Sequence, residues 1–205
     1  MQILPPAQTS PAAERNKAPI LAALQQWLPP QGRLLEIAAG TGQHAVHCAA
    51  GLPGWQWLPT DPTAEALASI RAWALQQPSP GLLPPLQLDV LQQPWPLPPG
   101  QPFDAVYCAN MLHIAPWACC TALMQGAAQC LVPGGLLLTY GPYFVQGEAP
   151  SPGNIAFDAD LRSRHPAWGL RWLHAVQAEA AAAGLQWVQR LDMPANNLLL
   201  AFRRP

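Results

Sequence analysis

Several residues able to do chemistry fall in one short stretch, RLLEIAAGTGQHAVHC (33–48). GTGQHA (40–45) fits the loose G-x-G-x-x-G/A pattern, in which glycines let backbone N–H groups approach a pyrophosphate at a helix start. Glu36 just before it argues the other way, because a carboxylate repels phosphate and suits a ligand that carries positive charge. His44, His47 and Cys48 stand at i, i+3 and i+4, which is compatible with metal ligation. No fourth ligand or supporting shell is identifiable, so no metal is assigned. Asp61, about 25 residues after Glu36, is placed to accept ribose hydroxyls, or to cap a turn before Pro62. His113 can titrate near neutrality and is the first candidate for a general base, with Tyr143 and Asp158 behind it. Residues 142–171 gather Arg162, Arg164, His165, Trp168 and Arg171 in a chain otherwise poor in charge. Guanidinium forks there suit a carboxylate or phosphate on a small substrate, or else ion pairs with Asp158, Asp160 and Glu179.

These residues need elements to hold them. Leu34–Ile37 reads as a first strand, followed by a helix from about Gln43 to Ala50. Trp55–Leu58 is a second strand, and Thr63 caps a helix with Leu67, Ile70 and Ala74 on one face. LQLD (86–89) and FDAVYCAN (103–110) are the third and fourth strands, so Asp89 and Asn110 stand at strand ends. Pro116 opens a helix striped by Cys120, Leu123, Ala127 and Leu131, and LLLTY (136–140) is the fifth strand. Residues 142–166 read as an irregular, lid-like insertion. Leu170, Leu173, Val176 and Ala180 mark another helix, and LQWVQRLDM and NLLLAFRR close the chain as a hairpin around PANN. Strands alternating with helices predict an α/β domain spanning residues 1–205, with an N-terminal extension (1–30). The expected architecture is a Rossmann-like three-layer sandwich around a mostly parallel seven-stranded sheet ending in an antiparallel hairpin.

Composition narrows the function classes. Half of the 205 residues are hydrophobic and 10% charged, which is globular rather than disordered. A formal net charge of −1, with nine tryptophans not interleaved with basic residues, gives no footprint for nucleic acid. No apolar run is long enough to span a bilayer, and the first residues do not read as a signal peptide. Five cysteines without a CxxC fit reduced thiols, hence an expected cytoplasmic location. The expected partner is a small molecule, with the protein a monomer or homodimer.

EIAAGTG (36–42) resembles the acidic-x-G-x-G-x-G turn of enzymes that use S-adenosylmethionine (SAM), with Ala38 in the first glycine's place. That cofactor has no phosphate but carries a sulfonium and an ammonium, which Glu36 can face. An NAD(P)-dependent oxidoreductase and a non-catalytic SAM-binding module are the alternatives. The wider sequence resembles the methyltransferase-like protein 26 family through AERNKAPIL (13–21), LEIAAGTGQHA (35–45), LDV (88–90), ANMLHIAPW (109–117) and TYGPY (139–143). NIAFDADLRSRHPAWGLR (154–171) and DMPANNLLLAFRR (192–204) extend it over nearly the whole chain after residue 12. Ala39 and Gly153 depart from that pattern, each standing where serine is usual. The resemblance implies the class I methyltransferase fold and SAM as cofactor, and no particular methyl acceptor. The expected cofactor set is Glu36, Ala38, Gly40, Thr41, Gly42, His44, Asp61, Asp89, Val90, Asn110 and Met111. Arg15, Asn16, Tyr140, Asn154 and Arg164 are the expected substrate contacts, for a small and conceivably anionic acceptor.

Overall fold

Side-chain caps start three of the described α-helices. A computed structural model describes residues 6–205. Ser10 Oγ accepts from Ala13 N to begin α1 (Pro11–Trp27), where Pro11 occupies a position that needs no N–H. Thr63 Oγ1 accepts from Ala66 N at 3.2 Å and begins α3 (Ala64–Gln76), the cap expected from the sequence.

The chain divides into two compact units, residues up to Asp89 with Pro96–Tyr107, and Val90–Trp95 with Cys108–Pro205. The first unit holds α1, β1 (Gly32–Ile37), α2 (Gln43–Gly51), β2 (Trp55–Asp61), α3 and β3 (Leu86–Gln87). It also holds the first five residues of β4 (Phe103–Ala109). β1 and β2 run parallel, pairing Leu34 with Trp57 and Glu36 with Pro59, and β2 pairs parallel with β3. Leu34, Leu35 and Ile37 on β1 and Trp57 and Leu58 on β2 are buried, so these strands carry hydrophobic runs rather than strict alternation, as in parallel sheets covered on both faces.

The second unit holds the end of β4, α4 (Trp117–Cys130), β5 (Leu131–Phe144), α5 (Pro152–Arg164) and β6 (Arg171–Trp172). α6 (Leu173–Ala182), β7 (Gln186–Met193) and β8 (Asn197–Arg203) complete it. β8 is antiparallel to β5 and to β7, so the C-terminal hairpin is as expected. Cys120, Leu123 and Ala127 on α4 and Leu173, Val176 and Ala180 on α6 are buried as expected, whereas Leu131, also buried, opens β5 and Leu170 precedes β6. The strands form a mixed, mostly parallel sheet of order β3-β2-β1-β4-β5-β8-β7, flanked by helices, with β6 pairing β5.

Four local expectations are corrected. Residues 142–166 are not irregular: β5 runs on to Phe144 and Pro152–Arg164 is helical. Only Asn154 and Leu161 are buried on α5, so it has no apolar stripe to detect. Its helix signals are Ser151, whose Oγ accepts from Asn154 N, Pro152 in the first turn, and Asp158–Arg162 and Asp160–Arg164 pairs four apart. β6 brings the strands to eight rather than seven, and the third strand has two residues rather than four. The N-terminal extension carries a 17-residue helix that continues through Pro19.

Candidate functional site

The first unit's candidate site grows from the β1–α2 turn. Ala38, Gly40 and Gly42 all take positive φ (55°, 56° and 89°). Gly42 is doubly constrained, since a Cβ there would also lie 2.9 Å from Ile70 Cα. Ala38 pays for the same left-handed geometry with a side chain present, strain of a kind that gathers at functional sites. Above Gly40 a Cβ would meet nothing within 4 Å, so the turn is open there. Asp61 braces it: Oδ2 accepts from Gly40 N at 3.0 Å, while Oδ1 accepts from Thr63 N and Oγ1. The turn-capping reading of Asp61 is thereby realised, and Oδ2 keeps acceptor capacity.

Glu36 is 2% exposed, with Oε2 accepting the Trp57 indole N–H at 2.6 Å. Burial pushes its carboxyl up to about 8, against the Trp57 bond and with help from the Asp61 charge. Trp57 was not legible as a site residue, although a tryptophan on a buried strand needs an acceptor for its N–H. His44 Nε2 lies 2.7 Å from Asn16 Oδ1, and burial holds the ring down at about 4, hence neutral. With the amide oxygen as acceptor, Nε2 carries the hydrogen. Gln43, also not foreseen, accepts from Ser10 N and Thr41 Oγ1 and donates to Glu14. Ser69 Oγ accepts from Gln8 N and donates to Thr41 O, so residues 8–16 are tied to the glycine turn. Arg15 is exposed, and Asp89 is half-buried two residues beyond β3.

In the second unit, Asn110 directly follows β4 at φ 60° and its N–H donates to Tyr140 O at 2.8 Å. Tyr140 is buried, and so are Met111 and Val90, whose carbonyl accepts from Gln93 and Trp95. His113 is 6% exposed, packed edge-on to Phe157 at 5.6 Å. A Cβ on Gly141 would lie 3.3 Å from His113 Nδ1, so glycine there admits the ring. Burial lowers the imidazole to about 4, aided by Arg171, leaving it a neutral and weak base.

The other two base candidates are committed elsewhere. Tyr143 donates to Thr139 Oγ1 at 3.0 Å, and burial pushes its phenol further up. Asp158 accepts from Arg162 Nε at 2.8 Å and Leu170 N at 2.7 Å. Of the two readings of the arginines, the structure contains the ion pairs. Arg162 pairs with Asp158, and Arg164 pairs with Asp160 and lies over Trp168. Arg171 donates to the carbonyls of Leu112, Ala115 and Ala167, pinning the loop that carries His113. Opposite charges placed four apart on one helix lie within reach of each other. Asn154, by contrast, lines a cavity, described below.

Solved structures similar to this chain are methyltransferases. An O-methyltransferase family 2 protein from Planctomyces limnophilus, in complex with apigenin, matches with TM-score 0.74 at 19% identity, over 94% of this chain and 62% of that one. The apo SAM-dependent methyltransferase SibL matches with TM-score 0.78 at 19% identity, over 95% and 56%. Human N-acetylserotonin methyltransferase, in complex with SAM, matches with TM-score 0.76 at 17% identity, over 94% and 52%. This chain therefore spans somewhat more than half the length of these proteins. The likeness, together with the sheet order and antiparallel hairpin, establishes the class I methyltransferase Rossmann-like fold. Among the described residues no helix is long and apolar enough to cross a membrane. The model of one family, described as protein of unknown function (DUF938), matches residues 7–204, and the chain belongs to that family.

Proposed function

We propose that the protein is a SAM-dependent methyltransferase acting on a small-molecule acceptor, with the glycine turn and Glu36 holding the cofactor. Within the family, the run of motifs from AERNKAPIL to DMPANNLLLAFRR supports placement with the methyltransferase-like protein 26 proteins. The observation that carries the functional reading is Glu36, a buried carboxyl beside an open turn, with no cationic side chain bonded to it among the described residues. A buried carboxyl of this kind favours a cationic ligand and penalises a pyrophosphate.

When bound, SAM supplies a methyl carbon already activated for in-line displacement. The chain's own residues orient and desolvate. Asp61 fixes the turn, where Ala38, Gly40 and Gly42 would let the backbone approach the cofactor; Asp61 Oδ2 would accept from a ribose hydroxyl and Glu36 would hold the ammonium. His113, neutral and weakly basic, can accept a hydrogen bond from an acceptor group but is a poor match for strong general-base work. Alignment and water exclusion then supply most of the rate.

Thermal denaturation with SAM, S-adenosylhomocysteine or NADH tests the cofactor. SAM and S-adenosylhomocysteine at a hundredfold excess over Kd are expected to stabilise by about 2.7 kcal/mol. Stabilisation by NADH alone overturns the reading. Incubating a metabolite extract with methyl-labelled SAM tests the chemistry, and cofactor binding without any labelled product overturns the enzymatic half.

A further inference from the structure

The end of β5, the loop that leaves it and the β7–β8 turn enclose a cavity of about 320 Å³, wholly within the second unit. That is the lower end of the range of small-molecule pockets. Its construction follows from local geometry. Ala195 and Asn196 take positive φ (59° and 56°) and turn the hairpin sharply. Asn154, in the first turn of α5, donates from Nδ2 to Asn196 O at 3.2 Å and ties the helix start to that turn. Buried Tyr143, Met193 and Leu198 give the lining an apolar part, and exposed Glu148 and Asp192 give it a charged one.

The charged side chains of this lining are all acidic. The lining includes no lysine, arginine or histidine. Tyr143 spends its hydroxyl hydrogen on Thr139. Asn154 is 9% exposed and uses an amide N–H on Asn196, and its Oδ1 accepts no hydrogen bond among the described residues. Glu148 and Asp192 share a single cation, Arg190, at 2.7 and 3.6 Å. Two carboxylates against one guanidinium leave an excess negative charge beside an Asn154 amide oxygen that is open to the cavity. Such a lining asks for a ligand that donates hydrogen bonds and carries positive charge.

We infer that this cavity is a binding site for a small organic cation, an amine or ammonium on a compact apolar body. The inference goes beyond the methyl-transfer reading and is tested without SAM, so the two stand or fall separately.

Three phenols of similar size carry different end groups: tyramine (cation), tyrosol (neutral) and 4-hydroxyphenylacetate (anion). Titrated into the ¹⁵N-labelled full chain, tyramine is expected to bind about fivefold or more tightly than the other two, as an exposed ion pair allows. It should shift the amide signals of Glu148, Asn154, Asp192 and Asn197. The double variant Glu148→Gln/Asp192→Asn should abolish the preference, and both side chains are more than half exposed, which spares the fold. Arg190→Gln releases both carboxylates and should tighten tyramine binding about twofold or more, an effect that a purely structural role would not produce. Equal or tighter binding of tyrosol or 4-hydroxyphenylacetate overturns the inference. So does absence of binding by all three at millimolar concentration, shifts confined to other residues, or an unchanged preference in the double variant.

Discussion

By residue type, the glycine turn of the first unit and the arginine-rich helix α5 of the second are both ligand-binding candidates. They differ in how their charges are spent. On α5, Asp158 and Asp160 neutralise Arg162 and Arg164 at helical spacing, and the remaining Asp158 oxygen closes the following loop through Leu170 N. At the turn, Glu36 is buried with an indole for a partner and no cation, and the backbone is held in left-handed geometry at three positions. A satisfied charge cluster explains itself. Strain together with an uncompensated buried acid calls for something else to complete it.

The comparison breaks first at Gly42. Gly42→Val adds a β-branched side chain at φ 89°, against Ile70 Cα, and should cost about 2–4 kcal/mol in urea denaturation and eliminate SAM binding. A variant of unchanged stability that binds SAM removes the argument for a constrained turn.

Glu36→Gln comes next. SAM affinity should fall at least tenfold, equivalent to about 1.4 kcal/mol, in calorimetric titration. The wild-type protein should release close to one proton per SAM bound at pH 7, because a cation beside the carboxyl favours its ionised form. The pH dependence has a definite sign. Glu36 rises from 4.5 to about 8 on folding, so its contribution is intact below 4.5 and is lost as pH climbs through 8. The Tm of the cofactor-free protein should therefore fall across that window, and Glu36→Gln should flatten the decline. His44 and His113 act on the other side: both drop from 6.5 to about 4, so their contribution holds above 6.5 and fades as pH falls toward 4.

Asp158→Ala should cost about 1–2 kcal/mol, since it leaves Leu170 N without its acceptor, while methyl transfer at a temperature well below Tm stays within a few-fold. A loss of activity with full stability would return Asp158 to the catalytic group. Arg164→Ala should be smallest, within about 0.5 kcal/mol and without effect on binding, because its ion pair is long and exposed.

Much of the framework was legible because it rests on local rules. The Thr63 cap, the stripe Cys120, Leu123 and Ala127, and the hairpin around PANN are where pattern and turn chemistry put them. α5 was not, since a helix with two buried residues gives periodicity nothing to register. Trp57 and Gln43 were missed because their partners, Glu36 and residues 10, 14 and 41, are remote in sequence or ambiguous in direction.

By itself the sequence determined the order and type of most elements, the antiparallel hairpin and the special turn at residues 36–42, all of which depend on neighbours along the chain. Only tertiary structure decided how each charge is used. Whether Glu36 is buried without a cation, Arg171 is spent on three carbonyls, or Asn154 faces a cavity with a free oxygen depends on residues brought together from distant positions. Ionisation and hydrogen bonding respond to that assembled environment and not to residue type.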